Sequence, residues 1–110
     1  MTYSIRIFTI DSQLIDPFVV AFDLYRDLVT QLQGHVSTDI LRRNNSPQEF
    51  ILFDFWTGTE AYNAALHAPQ GAVLSRFLLN LAIKCDDLGQ FEFLPSRNLG
   101  IAPVANETSN

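Results

Sequence analysis

The sequence predicts an α+β domain in which helices lie on one face of a four-stranded antiparallel sheet. Three observations carry that expectation. Short β-branched and aromatic runs alternate with amphipathic helical stretches in the order β-α-β-β-α-α-β. The second and third strands are separated only by the turn signal Asn44-Asn45-Ser46-Pro47, so they should pair as a hairpin. A chain of 110 residues, 47% apolar and only 17% charged, is one domain's worth and has the apolar content to bury a core. The plan is ferredoxin-like, with the second helix broken in two.

Tyr3 to Ile10 reads as the first strand, ended by Asp11-Ser12. A helix follows, with Asp16 as its cap and Pro17 in the first turn, where a missing N–H costs nothing. Phe18, Ala21, Phe22, Tyr25, Leu28, Val29 and Leu32 share its buried face, and Gly34 supplies the stop. His35 to Arg43 alternates as a second strand, with Val36, Thr38 and Ile40 on one side and His35, Ser37, Asp39 and Leu41 on the other. Glu49 to Trp56 is the third strand. Thr57 and Glu60 have the spacing of a capping box, which predicts a helix to about Leu66. Pro69 and Gly71 interrupt the pattern before a further helix from about Ala72 to Ile83, striped by Val73, Leu74, Phe77, Leu78 and Leu81. Asp86-Asp87-Leu88-Gly89 predicts a turn into a last strand, Gln90 to Leu94. The domain is expected to span residues 1–101, and the polar tail 102–110 to be disordered.

The third strand is apolar on both faces, whereas a solvated sheet face should be polar at alternate positions. The helices of one chain cover only one side. A second copy covering the other, over Ile51, Phe53 and Phe55, is therefore expected, giving a homodimer through the sheet face. A formal net charge of −5, with Arg42-Arg43 as the only basic cluster, argues against nucleic acid or an anionic membrane as partner. The N-terminus lacks a secretory pattern and no window reaches the length of a membrane span, so the expected location is the cytoplasm. The single cysteine, Cys85, allows no internal disulfide, sits beside two aspartates that disfavour a thiolate, and reads as an inert thiol. No paired Cys/His spacing suggests a metal site, and no phosphate loop or dinucleotide fingerprint occurs.

Phe53-Asp54-Phe55-Trp56, a short turn, Glu60-Ala61-Tyr62 and then His67-Ala68-Pro69 form a segment that, through Arg76, resembles the antibiotic biosynthesis monooxygenase family and the related quinol monooxygenases, which are dimeric α+β barrels. With the element order, the resemblance covers about residues 3 to 95. It implies oxidation of a polycyclic phenol to a quinone by molecular oxygen, with no metal, flavin or heme as cofactor. It also implies a pocket between sheet and helices that contains an Asn and a Trp on the third strand, a Tyr on the next helix and an Arg on the one after. Trp56, Tyr62 and Arg76 match that motif, and the Asn position is Leu52. In the heme-degrading branch of the resemblance, His67 stands where a Trp is expected and Phe77 where the heme-ligating His would be, so no heme is expected.

Each candidate has a functional and an ordinary role. Trp56 can stack on an aromatic ligand and donate its N–H, or plug the gap between sheet and helix. The Tyr62 hydroxyl can bond a phenol or an oxyanion, or simply reach solvent. Arg76 can stabilise a phenolate, or be a surface residue or ion-pair partner of Asp54. Asp54 shares the strand face of Leu52 and Trp56; in an apolar setting its pKa would rise and it could act as a base, or it could be paired. His67 can take a phenol proton or cap a helix end, and His35 reads as an edge-strand surface residue. Leu52, Phe22 and Phe77 are the expected apolar lining of the substrate pocket. The first reading is a cofactor-independent monooxygenase acting on a planar phenolic or hydroquinone compound. The alternatives are a non-catalytic dimeric barrel that binds a small apolar metabolite, and a structural or stress-response dimer.

Overall fold

Alternation along the strands decides which residues face the helices, and register shifts in the pairing of the first strand with the fourth and of the second with the third decide where that alternation is reset. A computed structural model describes residues 1–94, so the expected domain end at 101 and the tail 102–110 lie outside the described residues. The elements are β1 (Thr2–Ile10), a 3-10 turn (Ser12–Leu14), α1 (Ile15–Val29), β2 (His35–Arg43), β3 (Ser46–Trp56), α2 (Thr59–His67), α3 (Pro69–Leu81) and β4 (Ala82–Glu92). All strand pairs are antiparallel, in the order β2-β3-β1-β4. This is the predicted α+β, ferredoxin-like arrangement.

On the inner face, Phe50, Leu52, Asp54 and Trp56 of β3 pair with Phe8, Arg6, Ser4 and Thr2 of β1. One half of that face is a core. Phe8, Phe18 and Phe50 meet as tilted rings with centroids 5.1–5.4 Å apart, and Ile10, Phe22, Leu52 and Leu78 fill the space between them. Burying each such side chain stabilises the fold by about 1.5–3 kcal/mol. The other half, from Ser4 and Asp54 to Trp56, is polar or small and carries the site. On the outer face Tyr3, Ile5, Ile51, Phe53 and Phe55 are only half-buried, Leu41 is exposed, and no helix among the described residues covers them.

Several local expectations are corrected. Asp16 is not the cap of α1. The Asp11 carboxylate accepts from the Gln13 N–H at 2.9 Å to start the 3-10 turn, and Asp16 lies in the first turn of α1, where the helix dipole favours a negative charge. Thr57 and Glu60 form no capping box: Gly58 is the cap residue of α2, and the Thr57 N–H donates to Gly34 O at 2.8 Å. α3 begins at Pro69, whose missing N–H is harmless in a first turn. Asp86 to Gly89 is not a turn but a bulge inside β4. Ile5 pairs with Gly89 and Arg6 with Asp87, leaving Leu88 extra, and Gly89 takes the positive φ of 86° that the bulge needs. A second bulge interrupts β2, where His35 pairs with Trp56 and Ser37 with Phe55. Val36 is the extra residue, so His35 turns onto the same inner face as Thr38, not onto the outer face expected from strict alternation.

Candidate active site

A cavity of about 580 Å³ opens between the inner sheet face and all three helices. Its sheet wall is Ser4, Arg6, Asp54, Trp56, Cys85 and Asp87. Tyr25 and Val29 of α1, Tyr62 and Leu66 of α2, and Gly71, Ser75 and Arg76 of α3 complete it. Small residues keep it open: Ser4 replaces the bulk that Phe8 and Ile10 provide at the core end, and Gly71, Ala72 and Ser75 line the α3 side. A side chain at Gly71 would come within 3.0 Å of Ala65 O, so glycine permits the close approach of α3 to the end of α2.

The centre of the polar wall is Asp54, almost wholly buried. Tyr25 donates its hydroxyl to Asp54 Oδ2 at 2.6 Å and Thr38 donates to Oδ1 at 2.5 Å. Arg6 stands 3.8 Å from Oδ2 and donates to Ser75 Oγ at 2.8 Å and to the Tyr25 hydroxyl at 3.3 Å. Burial pushes the Asp54 carboxyl above its ordinary 3.8, opposed by those hydrogen bonds and by the Arg6 and His35 charges. Burial, reinforced by the Asp54 charge, holds the Tyr25 hydroxyl well above its ordinary 10.0, so it remains a donor. His35 Nε2 lies 2.6 Å from Thr38 Oγ1, and burial lowers its pKa below 6.5. The Cys85 thiol is likewise pushed up by burial, in keeping with an inert group.

Trp56 joins this wall to α2. Its ring meets His35 edge-on at 5.0 Å and Tyr62 at 6.3 Å. Its Nε1–H is buried and has no hydrogen-bond partner, the one such side-chain atom among the described residues. An unsatisfied buried donor costs about 1–3 kcal/mol.

Of the residues singled out in the sequence, Asp54, Trp56, Tyr62 and Arg76 come together around the cavity. Arg76 is at its exposed rim, and no side chain among the described residues pairs with it. The cation beside Asp54 is Arg6, not Arg76. The others lie elsewhere. His67 is exposed at the end of α2, with Nδ1 2.7 Å from Asn63 O. Leu52 and Phe22 are sealed in the core, and Phe77 is 47% exposed on α3 because Leu78 is the residue that turns inward there. Arg6, Tyr25, Thr38, Ser75 and His35 were not singled out as a group. Arg6 was findable, being the single cation of β1 and in phase with Phe8 and Ile10. Among the described residues no three His, Cys, Asp or Glu side chains gather as a metal site.

No family model matches the sequence, and no curated protein matches it. Solved structures do match. SnoaB, a cofactor-independent oxygenase from Streptomyces nogalater crystallised as a mutant, superposes with a TM-score of 0.76 at 20% identity, over 84% of this chain and 91% of that one. A candidate antibiotic biosynthesis monooxygenase from Nitrosomonas europaea gives 0.76 at 14% identity, over 86% of this chain and 100% of that one. A conserved protein from Methanosarcina mazei gives 0.75 at 6% identity, over 82% and 89%. The chain has the fold of the antibiotic biosynthesis monooxygenases, as the resemblance implied. No helix among the described residues is long and apolar enough to cross a membrane.

Proposed function

We propose that this chain is a cofactor-independent oxygenase that binds a planar phenol or hydroquinone in the cavity behind Trp56. The observation that carries the reading is a cavity of about 580 Å³ walled by the aromatic side chains of Trp56 and Tyr62 and by a buried carboxyl, Asp54, whose burial raises its pKa. A ligand with a flat ring and an acidic hydroxyl complements both. Asp54 takes the phenolic proton, and Arg6 with Arg76 balances the phenolate charge. The substrate is itself the reductant. Its anion gives electrons to oxygen, one oxygen atom ends on a ring carbon as the quinone carbonyl, and the other leaves as water with the two hydrogens the substrate loses. The protein's share is proton removal, anion stabilisation and exclusion of water.

The outer sheet face supports a dimer. Half-buried Ile5, Phe53 and Phe55, with Tyr3 stacked on Phe55 at 4.2 Å, form an apolar surface that a second copy would cover. A second reading, a binding module without chemistry, is favoured by Leu52. Where the resemblance has an asparagine, this chain has an aliphatic side chain fully sealed in the core. A structural dimer with a filled pocket is disfavoured by a cavity of about 580 Å³, within the size range of small-molecule sites.

Oxygen consumption with naphthols, anthrones and hydroquinones separates these readings. Turnover without added metal or flavin, reduced in Trp56→Phe, Tyr62→Phe and Arg76→Ala while they stay folded, supports the oxygenase. Saturable binding without turnover supports the binding module, and Trp56, the chain's single tryptophan, reports that binding by its own fluorescence.

A further inference from the structure

We propose that Thr38 and His35 form a proton path leading from Asp54, in the cavity wall, to the edge of the sheet. The inference deepens the functional reading above and rests on it for its use in turnover. Its geometry stands alone. Thr38 donates to Asp54 Oδ1 at 2.5 Å and lies 2.6 Å from His35 Nε2, so the three groups form one continuous chain. Thr38 is buried and His35 is half-buried, and neither lines the cavity. The path therefore runs behind the cavity wall and ends on β2, one of the two edge strands of the described sheet. The bulge at Val36 is what puts His35 there; strict alternation would have turned it to the opposite face.

The hydroxyl of Thr38 carries one hydrogen, and this gives the chain two states. With Asp54 ionised, Thr38 donates to it and accepts from His35 Nε2–H. With Asp54 protonated on Oδ1, that proton passes to Thr38 Oγ1 while the Thr38 proton moves to His35 Nε2, and His35 releases its Nδ1 proton to water. Only O–H and N–H bonds form and break, and no oxidant or reductant is needed. The surroundings bring the two ends together in proton affinity. Arg6 from β1 and Tyr25 from α1 face Asp54 along with Thr38 and His35 of β2, yet burial raises the Asp54 pKa. His35, facing Trp56, Asp54 and the Ser37 backbone, is lowered. The narrower the gap in affinity, the smaller the uphill cost of transfer.

The test is a double-mutant cycle in the ligand-free protein, reading the NMR titration of the His35 ring. Asp54→Asn removes the charge that raises the His35 pKa, so its midpoint falls. If Thr38 carries the coupling, that fall shrinks to less than about half in a Thr38→Val background and returns with Thr38→Ser. Thr38→Ala repeats the cycle should the valine variant not fold. An unchanged fall in both backgrounds means plain charge–charge interaction through space and overturns the path. A second arm uses oxygen uptake with 1-naphthol or an anthrone. His35→Ala should lower kcat about tenfold or more with KM unchanged, and added imidazole should restore it. An unaffected kcat, or a loss that imidazole does not restore, removes the path from turnover. No uptake by the natural protein sinks the oxygenase reading, while the titration cycle still decides the path.

Discussion

Tyr25→Phe isolates what the buried carboxyl costs the fold. The substitution keeps the ring, leaves no large void, and deletes the hydroxyl that donates to Asp54 Oδ2 at 2.6 Å. A hydrogen bond to a charged group contributes about 1.5–3 kcal/mol. The lower end applies here, because Arg6, 3.8 Å from Asp54, can close on the carboxylate once the hydroxyl is gone. We therefore expect a loss of about 1.5 kcal/mol while Asp54 is ionised and about half of that once it is protonated, when only a neutral bond is lost. The sign follows from linkage. The folded state holds the Asp54 proton more tightly than the unfolded state, so between the ordinary 3.8 and its raised value this group lowers stability as pH rises. Tyr25→Phe removes a bond that holds the pKa down, which widens that window. His35 acts the other way: with its pKa below 6.5, it adds stability as pH rises through the interval ending there. That contribution is common to both proteins, so the difference between them reports Asp54. Urea denaturation at fixed protein concentration, from acid to mildly alkaline pH, measures it as a shift in the midpoint, and in thermal unfolding the same loss of about 1.5 kcal/mol should appear as a Tm drop of roughly 6–12 °C. An equal cost at both ends of the pH range would refute the account and make Tyr25 a packing residue.

Three further outcomes follow from other parts of the fold. Gly34→Ala should destabilise by about 1–3 kcal/mol in thermal denaturation, because Gly34 has φ +87° and an added Cβ would meet Ala61 and Thr57. The natural chain is expected to be a dimer in light scattering and Phe53→Glu, on the outer face, a folded monomer; a monomeric natural chain at micromolar concentration would remove the argument from the two-sided strand. Leu52→Ala should cost about 2–5 kcal/mol of stability, yet leave naphthol binding unchanged, since Leu52 packs in the core and not on the cavity.

The element order and the two faces of β3 were legible because they depend on periodicity, which a sequence carries openly. Phe50, Leu52, Asp54 and Trp56 had to share a face whatever their partners. The bulges at Leu88 and Val36 were not legible. A bulge uses the same Asp and Gly chemistry as a turn, so Asp87 and Gly89 looked like the end of an element when they lie inside one. At Val36 no residue type signalled the extra position, and the missed bulge put His35 on the wrong face. Half of the site was readable from the segment around Trp56. The rest, Arg6 and Tyr25 with Thr38, comes from elements distant in sequence, and Tyr25 reads equally well as one more apolar position of α1.

The same inner face that is closed by Phe8, Phe50 and Leu52 at one end is left unsatisfied by Trp56 at the other. That asymmetry makes a statement about ligands. If the buried indole N–H costs about 1–3 kcal/mol for want of an acceptor, a ligand oxygen that reaches it recovers part of that cost on binding. At about 1.4 kcal/mol per tenfold change in Kd, 1-naphthol should bind about tenfold or more tightly than naphthalene, which has the same ring and no oxygen. Asp54 and Tyr62 also favour the hydroxyl, so the contrast alone does not identify the donor. The comparison is therefore repeated in Trp56→Phe by calorimetry, which needs no fluorophore. The gap between naphthol and naphthalene should narrow there while naphthalene itself loses little. If the gap stays the same, Asp54 and Tyr62 do all the discriminating, and Trp56 is only a wall against which a flat ring rests.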